Sequence, residues 1–574
     1  MTIERLLLTG VFKPYGETDE YGEALCSMEL LYNQVTREQG IHSPRSNNLS
    51  YGLYMLAENI DVPTTVLDFP SWEDFTREVD SAKYSHIGIS FIVPNVLKAR
   101  RMAEYIRAKS PRTKIILGGH GTAIAELDQL VDHDEVCRGE GVSWLRSYAG
   151  EELDRPIKHP ILPSSVNSFI YGAPILGKAG ILIPGVGCQN SCRFCATSHK
   201  FDHKYTSFLP AGRDVFNVCR ESERQLGVMD FGVLDENFCK EPLRARQLLD
   251  EMTLEHKAYT FSIFSSADAV ARLGVDFLVR LGVNFIWIGV ESKAALFEKT
   301  RGVDLPGLIR DLQEHGITVL ASAILFLEHH DKTTILEDID WAIDLESDLL
   351  QFMQFSPMPG TRLHADYEAQ GKIRHDYPWP RRHGQDTIWF DHPHFTPEES
   401  SDYLREAFEK KYQAGGPGVL NMAVTAIRGY LTAKREIAER SARGVTWDPS
   451  RLRYVAQGIP ASDDFMMLRL EALRQNALKF RPALATMLRY APNQMAANKT
   501  AKTIELYNDA FGKTGLLDQG RSVLVRGAAY LENRRVKKHG RVMRQPKLIR
   551  REYPGRSQTV TTQLQPAQLK EPAA

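Results

Sequence analysis

Three cysteines, Cys188, Cys192 and Cys195, fall in one short run, Gly187-Cys-Gln-Asn-Ser-Cys-Arg-Phe-Cys195, directly after the apolar stretch Ile181-Leu-Ile-Pro-Gly-Val186. Three soft thiolates at C-x3-C-x2-C spacing in one loop suit an iron-sulfur cluster that keeps one iron without a protein ligand, open to a substrate or cofactor. Structural zinc normally takes four Cys or His ligands, commonly in two pairs, and the nearest fourth donor is His199. A Cys3His zinc knuckle is therefore the competing reading, and the spacing suits it less well. The remaining cysteines, Cys26, Cys137, Cys219 and Cys239, are isolated and bring the total to an odd seven, which speaks for a reducing compartment and against a disulfide framework. Each of these four reads as a small packed residue.

With Phe194 in the aromatic slot, the run resembles the signature of the radical S-adenosylmethionine (SAM) superfamily, C-x3-C-x-aromatic-C. The resemblance implies that Cys188, Cys192 and Cys195 hold a 4Fe-4S cluster whose fourth iron chelates SAM. It further implies that one electron, from a donor such as flavodoxin or ferredoxin, cleaves SAM into methionine and a 5'-deoxyadenosyl radical that abstracts hydrogen from substrate.

The 574 residues suffice for two to four domains. Charge is balanced, 71 basic against 72 acidic residues, so no global field recruits nucleic acid. No apolar stretch is long enough to span a bilayer, and the start lacks a signal-peptide layout, so a cytoplasmic protein is expected.

The elements that must position the cysteines form an α/β series. Residues 1–150 alternate short apolar runs, at Leu6, Thr65, His86 and Lys114, with a helical pattern from Lys98 to Ile106, as in a doubly wound, Rossmann-like sheet. Ligands in such sheets bind at the carboxyl ends of strands, where Ser90, Gly118-Gly119-His120 and Arg138-Gly139-Glu140-Gly141 fall. These pieces resemble the cobalamin-binding-type domain found ahead of many radical SAM domains, which implies cofactor contacts at Ser90, Gly118, Gly119, His120 and Glu140. The D-x-H-x-x-G motif of cobalt-ligating relatives is absent, Thr9-Gly10-Val11-Phe12 standing in its loop. A domain whose glycines only make tight turns is the open alternative.

A linker is expected over 151–178, followed at 179–363 by five further strand-helix units. The family resemblance implies a partial six-stranded barrel of the TIM type, with working residues at the carboxyl ends of its strands. Those ends carry Asp235-Glu236-Asn237, Ser265-Ser266 and Glu291-Ser292. The resemblance places SAM contacts on Phe194, Asp235, Glu236, Asn237, Ser265 and Glu291; a helix cap is the alternative for Glu291. Glu328, His329 and His330 follow the fifth strand and are the candidate catalytic residues, with a two-histidine metal site as a lesser alternative. Residues 364–530 read as helical. Residues 531–574 read as a basic, disordered tail; its 534–551 stretch holds nine Lys or Arg and no acid, a composition that can contact an anionic lipid surface.

The leading expectation is thus a radical SAM enzyme that modifies an unactivated C-H bond. Two branches stay open, methyl transfer with cobalamin bound, and radical coupling or rearrangement without it. The layout resembles radical SAM enzymes that tailor lipids, such as hopanoid methylases, which implies a lipid-like or other small-molecule substrate. From another class, a non-catalytic iron-sulfur carrier or sensor competes; an RNA substrate would need a binding appendage, and the sequence offers only the basic tail.

Overall fold

The computed structural model describes residues 3–14, 18–22, 29–175, 177–294, 297–457, 462–540 and 544–555. Cys26 and the stretch from Gln558 onward, expected to be disordered, lie outside the described residues. Two six-stranded sheets organise the chain.

The first contains β1 (Leu6–Gly10), β2 (Thr64–Asp68), β3 (His86–Ser90), β4 (Lys114–Gly118) and β5 (Glu135–Val136). These five are parallel in the order 2-1-3-4-5, which reverses between β1 and β3. Such a reversal opens a crevice at the carboxyl ends of the two strands, beside Gly10 and Ser90. β1, β2 and β3 are almost wholly buried, as their continuous apolar runs require when helices cover both faces.

One expectation fails here. Ile549–Tyr553, assigned from sequence to a disordered tail, is instead an antiparallel edge strand on β2. Its three middle residues, Arg550, Arg551 and Glu552, are charged and exposed, so the segment shows no apolar alternation. Ile549 and Tyr553 pack against the core, and Arg550 pairs with Glu78 at 2.8 Å. The expected linker is likewise tied down, because Asn167–Phe169 pairs with Arg45–Asn47.

The second sheet is β6 (Gly180–Leu182), β7 (Asp230–Val233), β8 (Thr260–Phe264), β9 (Val283–Glu291), β10 (Thr318–Leu325) and β11 (Leu349–Gln354), all parallel, in chain order, with β6 and β11 as its edges. Each crossover carries at least one helix, for example Gly212–Leu226, which buries Val215, Phe216, Val218 and Cys219 at helical spacing. β10 is buried at every position, and its sequence TVLASAIL has no polar face to show. The polar residues that do occur gather at the strand ends.

Helices Pro397–Gly415, Gly418–Ala442, Asp464–Leu478, Gln494–Phe511 and Leu516–His539 form the C-terminal part, interrupted by the hairpin Val445–Asp448/Arg453–Ala456. Gly418–Ala442 lies against the second sheet's helices by direct backbone approach: a β-carbon on Gly429 would sit 2.1 Å from the Cα of Gly316. The expected result of Gly429→Ala is a loss of about 1–3 kcal/mol by forced overpacking, read in a denaturant melt.

Candidate active site

The cysteine loop leaves the strand Gly185–Gly187 and ends where Cys195 caps the helix Ala196–Lys200. Gly187 has φ +91°, and a β-carbon there would meet the carbonyl of Lys204 at 2.1 Å, so only glycine admits this entry. Ser198 Oγ donates to the Cys188 carbonyl at 2.9 Å, and the Cys195 amide to that of Cys192 at 3.0 Å. All three cysteines are free, half-buried and line one cavity of about 380 Å3. Burial raises each thiol above its ordinary value.

Among the described residues, the one group of potential ligands whose donor atoms all lie within 4.8 Å of one another is His329, His330 and Asp338. The three cysteine sulfurs are not such a group. His199 cannot complete a zinc knuckle. Its Nδ1 donates to the Cys195 carbonyl and its Nε2 accepts from the Arg362 amide, so no lone pair is left.

Opposite the cysteines, the ends of β7 to β11 close the cavity. Asn237 ties two of them together: its Oδ1 accepts from Ser265 Oγ (2.8 Å) and the Ser266 amide (3.0 Å), and its Nδ2 bonds Ser266 Oγ at 3.0 Å. Glu291 holds φ +63° at the end of β9, an uncommon backbone for a non-glycine that is found where function overrides local preference. Its carboxylate folds back over Gly289, where a β-carbon would meet Oε1 at 2.1 Å, and pairs with Lys299 Nζ at 2.5 Å. Burial opposes the Lys299 charge, but Glu291 and Cys192 beside it more than offset this and hold its ammonium above the ordinary value. Ser292 accepts from the Ala294 amide, and no described helix starts at Glu291 as the cap alternative required. Phe194 lines the cavity with its ring against Phe297 (5.3 Å) and Phe355 (6.1 Å).

Four of the expected site residues also carry structural partners. Asp235 is buried and held by three bonds: Oδ2 takes Arg244 Nη2 (2.6 Å) and the Tyr205 hydroxyl (2.7 Å), and Oδ1 takes the Asn237 amide. It braces the strand end and also lines the apolar cavity described below. Glu140 accepts from the Val142 and Ser143 amides as the N-cap of the helix Gly141–Ala149. Glu328 is half-exposed and paired with Arg193 at 2.7 Å. His330 is fully buried, accepting from the Leu327 amide through Nδ1 and bonding Asp338 through Nε2, which fixes the loop and leaves no lone pair for a metal. None of Glu328, His329 and His330 lines the cluster cavity.

Sequence reasoning missed Trp287, Phe264, Lys299 and His383 on the cavity wall. The first was legible: Trp287, Gly289 and Glu291 share one face of β9 by the period of two. His383 was not, since it arrives on an irregular loop from far along the chain. Burial lowers its imidazole to about 4, which leaves it neutral at neutral pH.

A second, apolar cavity of about 840 Å3 lies between the two sheets. Ser90, Gly118, Gly119, His120 and Glu140 all line it, together with Leu8, Leu56, Val186, Phe208 and Cys137, so Cys137 is a wall residue and not a core one. Beta-carbons on Gly118 or Gly139 would meet nothing within 4 Å, and these bare stretches leave the wall open. Burial, then Lys200, lowers His120 to about 4. A third cavity of about 460 Å3 shares His120 and Lys200 with the apolar one and Met358 and His383 with the cluster cavity, and adds Arg138 and His199. Glu236 and Phe264 line both the cluster cavity and the apolar cavity. Burial, then Asp235, pushes the Glu236 carboxyl up to about 7.

No protein-family model matches the chain. An uncharacterized methyltransferase of Pyrococcus horikoshii is 22% identical over 241 residues, 41% of this chain and 51% of that protein, so the match spans about half of the relative's length. The radical SAM methyltransferase TsrM from Kitasatospora setae, solved with cobalamin and a 4Fe-4S cluster bound, superposes with a TM-score of 0.50 at 13% identity, over 84% of this chain and 100% of that one. The same enzyme with tryptophan substrate and a SAM analog gives a TM-score of 0.49 at 15% identity, over 77% and 99% of the two chains. The likeness to cobalamin-type radical SAM enzymes drawn from the motifs thus extends to the fold.

Proposed function

We propose that this chain is a cobalamin-dependent radical SAM methyltransferase: the cysteine loop holds a 4Fe-4S cluster, the polar cavity takes SAM and substrate, and the apolar cavity takes the corrinoid. In this reading residues 1–150 are the corrinoid-binding domain, 179–363 an open six-stranded barrel and 364–530 its helical cover. The observation that carries it is the shared wall, since Glu236 and Phe264 face both chambers and so bring a methyl carrier within reach of the cluster cavity.

The residues fit the groups. Three free thiols facing one cavity suit a cluster with an open iron, and the Lys299 ammonium offsets part of the charge that they carry as thiolates. The glycine-walled crevice beside the reversal of strand order suits a large flat ligand, with the neutral His120 ring as its polar contact. When bound, the cluster supplies one-electron reduction and the corrinoid carries a methyl group. The chain's own part is to position and to hold protons. Asn237, Ser265 and Ser266 offer a rigid polar rim, Glu291 and Lys299 a fixed charge pair, and Glu236 a carboxyl that changes protonation near neutrality. A cavity of about 380 Å3 suits a compact substrate or the reacting part of a longer one, such as a lipid.

The test is anaerobic purification with assay of iron, sulfide and corrinoid absorbance, followed by SAM carrying a labelled methyl group. Cluster, corrinoid and label consumption together support the reading. SAM cleavage to 5'-deoxyadenosine without corrinoid moves it to the coupling branch, and an intact cluster that never consumes SAM leaves a carrier.

Glu236 gives a pH signature. The folded carboxyl keeps its proton up to about 7, whereas an unfolded glutamate loses it near about 4.3. Its contribution is therefore present below about pH 4 and is lost as pH rises toward 7. Glu236→Gln lacks that titration, so its melting temperature should gain on the parent's across this window, and a constant difference would refute the assignment.

A further inference from the structure

The helix Leu516–His539 packs through Val525, Ala529 and Val536 onto the C-terminal helices. Its 24 residues extend about 36 Å. The opposite face carries a second apolar stripe that none of the described residues covers. Leu516 and Leu517 are 86% exposed, Leu524 73%, Leu531 66%, Val523 55% and Tyr530 52%. They recur at intervals of seven, as 516, 523, 530 and 517, 524, 531, which keeps them on one face of a helix. Gly520 and Gly527 lie between them, and a β-carbon on either would meet nothing within 4 Å.

The charges around this stripe have one sign. Arg521, Arg526, Arg534, Lys537 and Lys538 are exposed along its rims and C-terminal end. The helix's two acids are turned to the packed side, Asp518 toward Arg481 (4.0 Å) and Glu532 to Arg45 (3.4 Å) and Arg535 (2.5 Å). An apolar stripe with cationic rims and no acid is the pattern of a helix lying in the plane of an anionic bilayer surface. No described helix is long and apolar enough to cross a membrane. A second copy of the same face is the poorer complement: parallel packing sets cations against cations, and antiparallel packing sets Arg534 and Lys538 against Leu516 and Leu517.

We propose that this face of Leu516–His539 seats the protein on an anionic lipid surface, with the leucine stripe at the headgroup boundary and the arginines and lysines on lipid phosphates. The inference rests on this helix alone and is independent of the reaction assigned to the cavities.

The test is co-sedimentation of the full chain with vesicles of phosphatidylcholine, alone or mixed equally with phosphatidylglycerol. Binding to the mixed vesicles should be at least about tenfold tighter and should weaken with added salt. Leu524→Glu with Leu531→Glu should abolish binding with the melting temperature unchanged. Arg534→Gln, Lys537→Gln and Lys538→Gln together should reduce it to the level on neutral vesicles, which keeps the proposal testable even if the leucine variant folds poorly. Equal binding to both vesicles, or full binding by the charge variant, would overturn it. So would a dimer in sedimentation velocity that the leucine variant dissolves, because the face would then join two copies of the chain.

Discussion

Cys192→Ala is expected to abolish cluster assembly and every SAM-dependent activity while the melting temperature of the cofactor-free protein barely changes. The cysteine loop stands on glycine geometry and backbone bonds that do not use the Cys192 side chain, namely the Gly187 turn, the Ser198 bond to Cys188 and the His199 bond to Cys195. Apart from a long contact to the Asn190 carbonyl (4.0 Å), its sulfur is left for the proposed cluster. Iron should drop from about four per chain to well under one after anaerobic reconstitution, and consumption of labelled SAM should vanish with it. Because burial raises all three thiols, assembly must also release protons, and reconstitution should slow as the pH is lowered. A variant that kept the cluster and turned over SAM would remove the ligand assignment. His199→Ala, by contrast, should retain iron, since both of its ring nitrogens are already occupied.

Arg244→Ala should be the most destabilising single change near the site, by about 3–5 kcal/mol in a denaturant melt. The Arg244 and Asp235 side chains are 2% and 1% exposed and bonded at 2.6 Å, with Tyr205 as third member. Removing the guanidinium strands a buried carboxylate at the end of β7, directly before Glu236 and Asn237, so the cavity rim should loosen as the fold weakens. Arg244→Ala with Asp235→Asn should recover part of the loss, because the neutral amide no longer demands a cation. If Asp235 instead bound SAM, Asp235→Asn alone would lower SAM affinity with little change in melting temperature. That is the opposite outcome.

The contrast between Asp235 and Glu236 shows where sequence reasoning stops. Both are acids in one strand-end motif and both line the apolar cavity, but nothing in their order says that Glu236 alone also reaches the cluster cavity. Both lie past the end of β7, in a turn whose course no strand period sets, and the arginine that claims Asp235 comes from the following helix. Likewise Glu328, His329 and His330 have the composition of a site but lie off the cluster cavity, with His330 closing its loop, whereas Lys299 and His383 complete the cavity from segments without any motif. The strand Ile549–Tyr553 was hidden because its pairing partner, β2, lies nearly five hundred residues away.

What the sequence determined by itself is the local chemistry: three thiols at cluster spacing, glycines at turns that no other residue can make, and apolar runs that must become buried parallel strands. These depend on residues close together in the chain, whose geometry covalent structure and short-range sterics dictate. The tertiary structure decided which polar strand ends converge, that two chambers share the wall formed by Glu236 and Phe264, and that the described residues leave one face of Leu516–His539 uncovered. Those are relations between distant segments, set by how whole sheets and helices pack, and no local pattern encodes them.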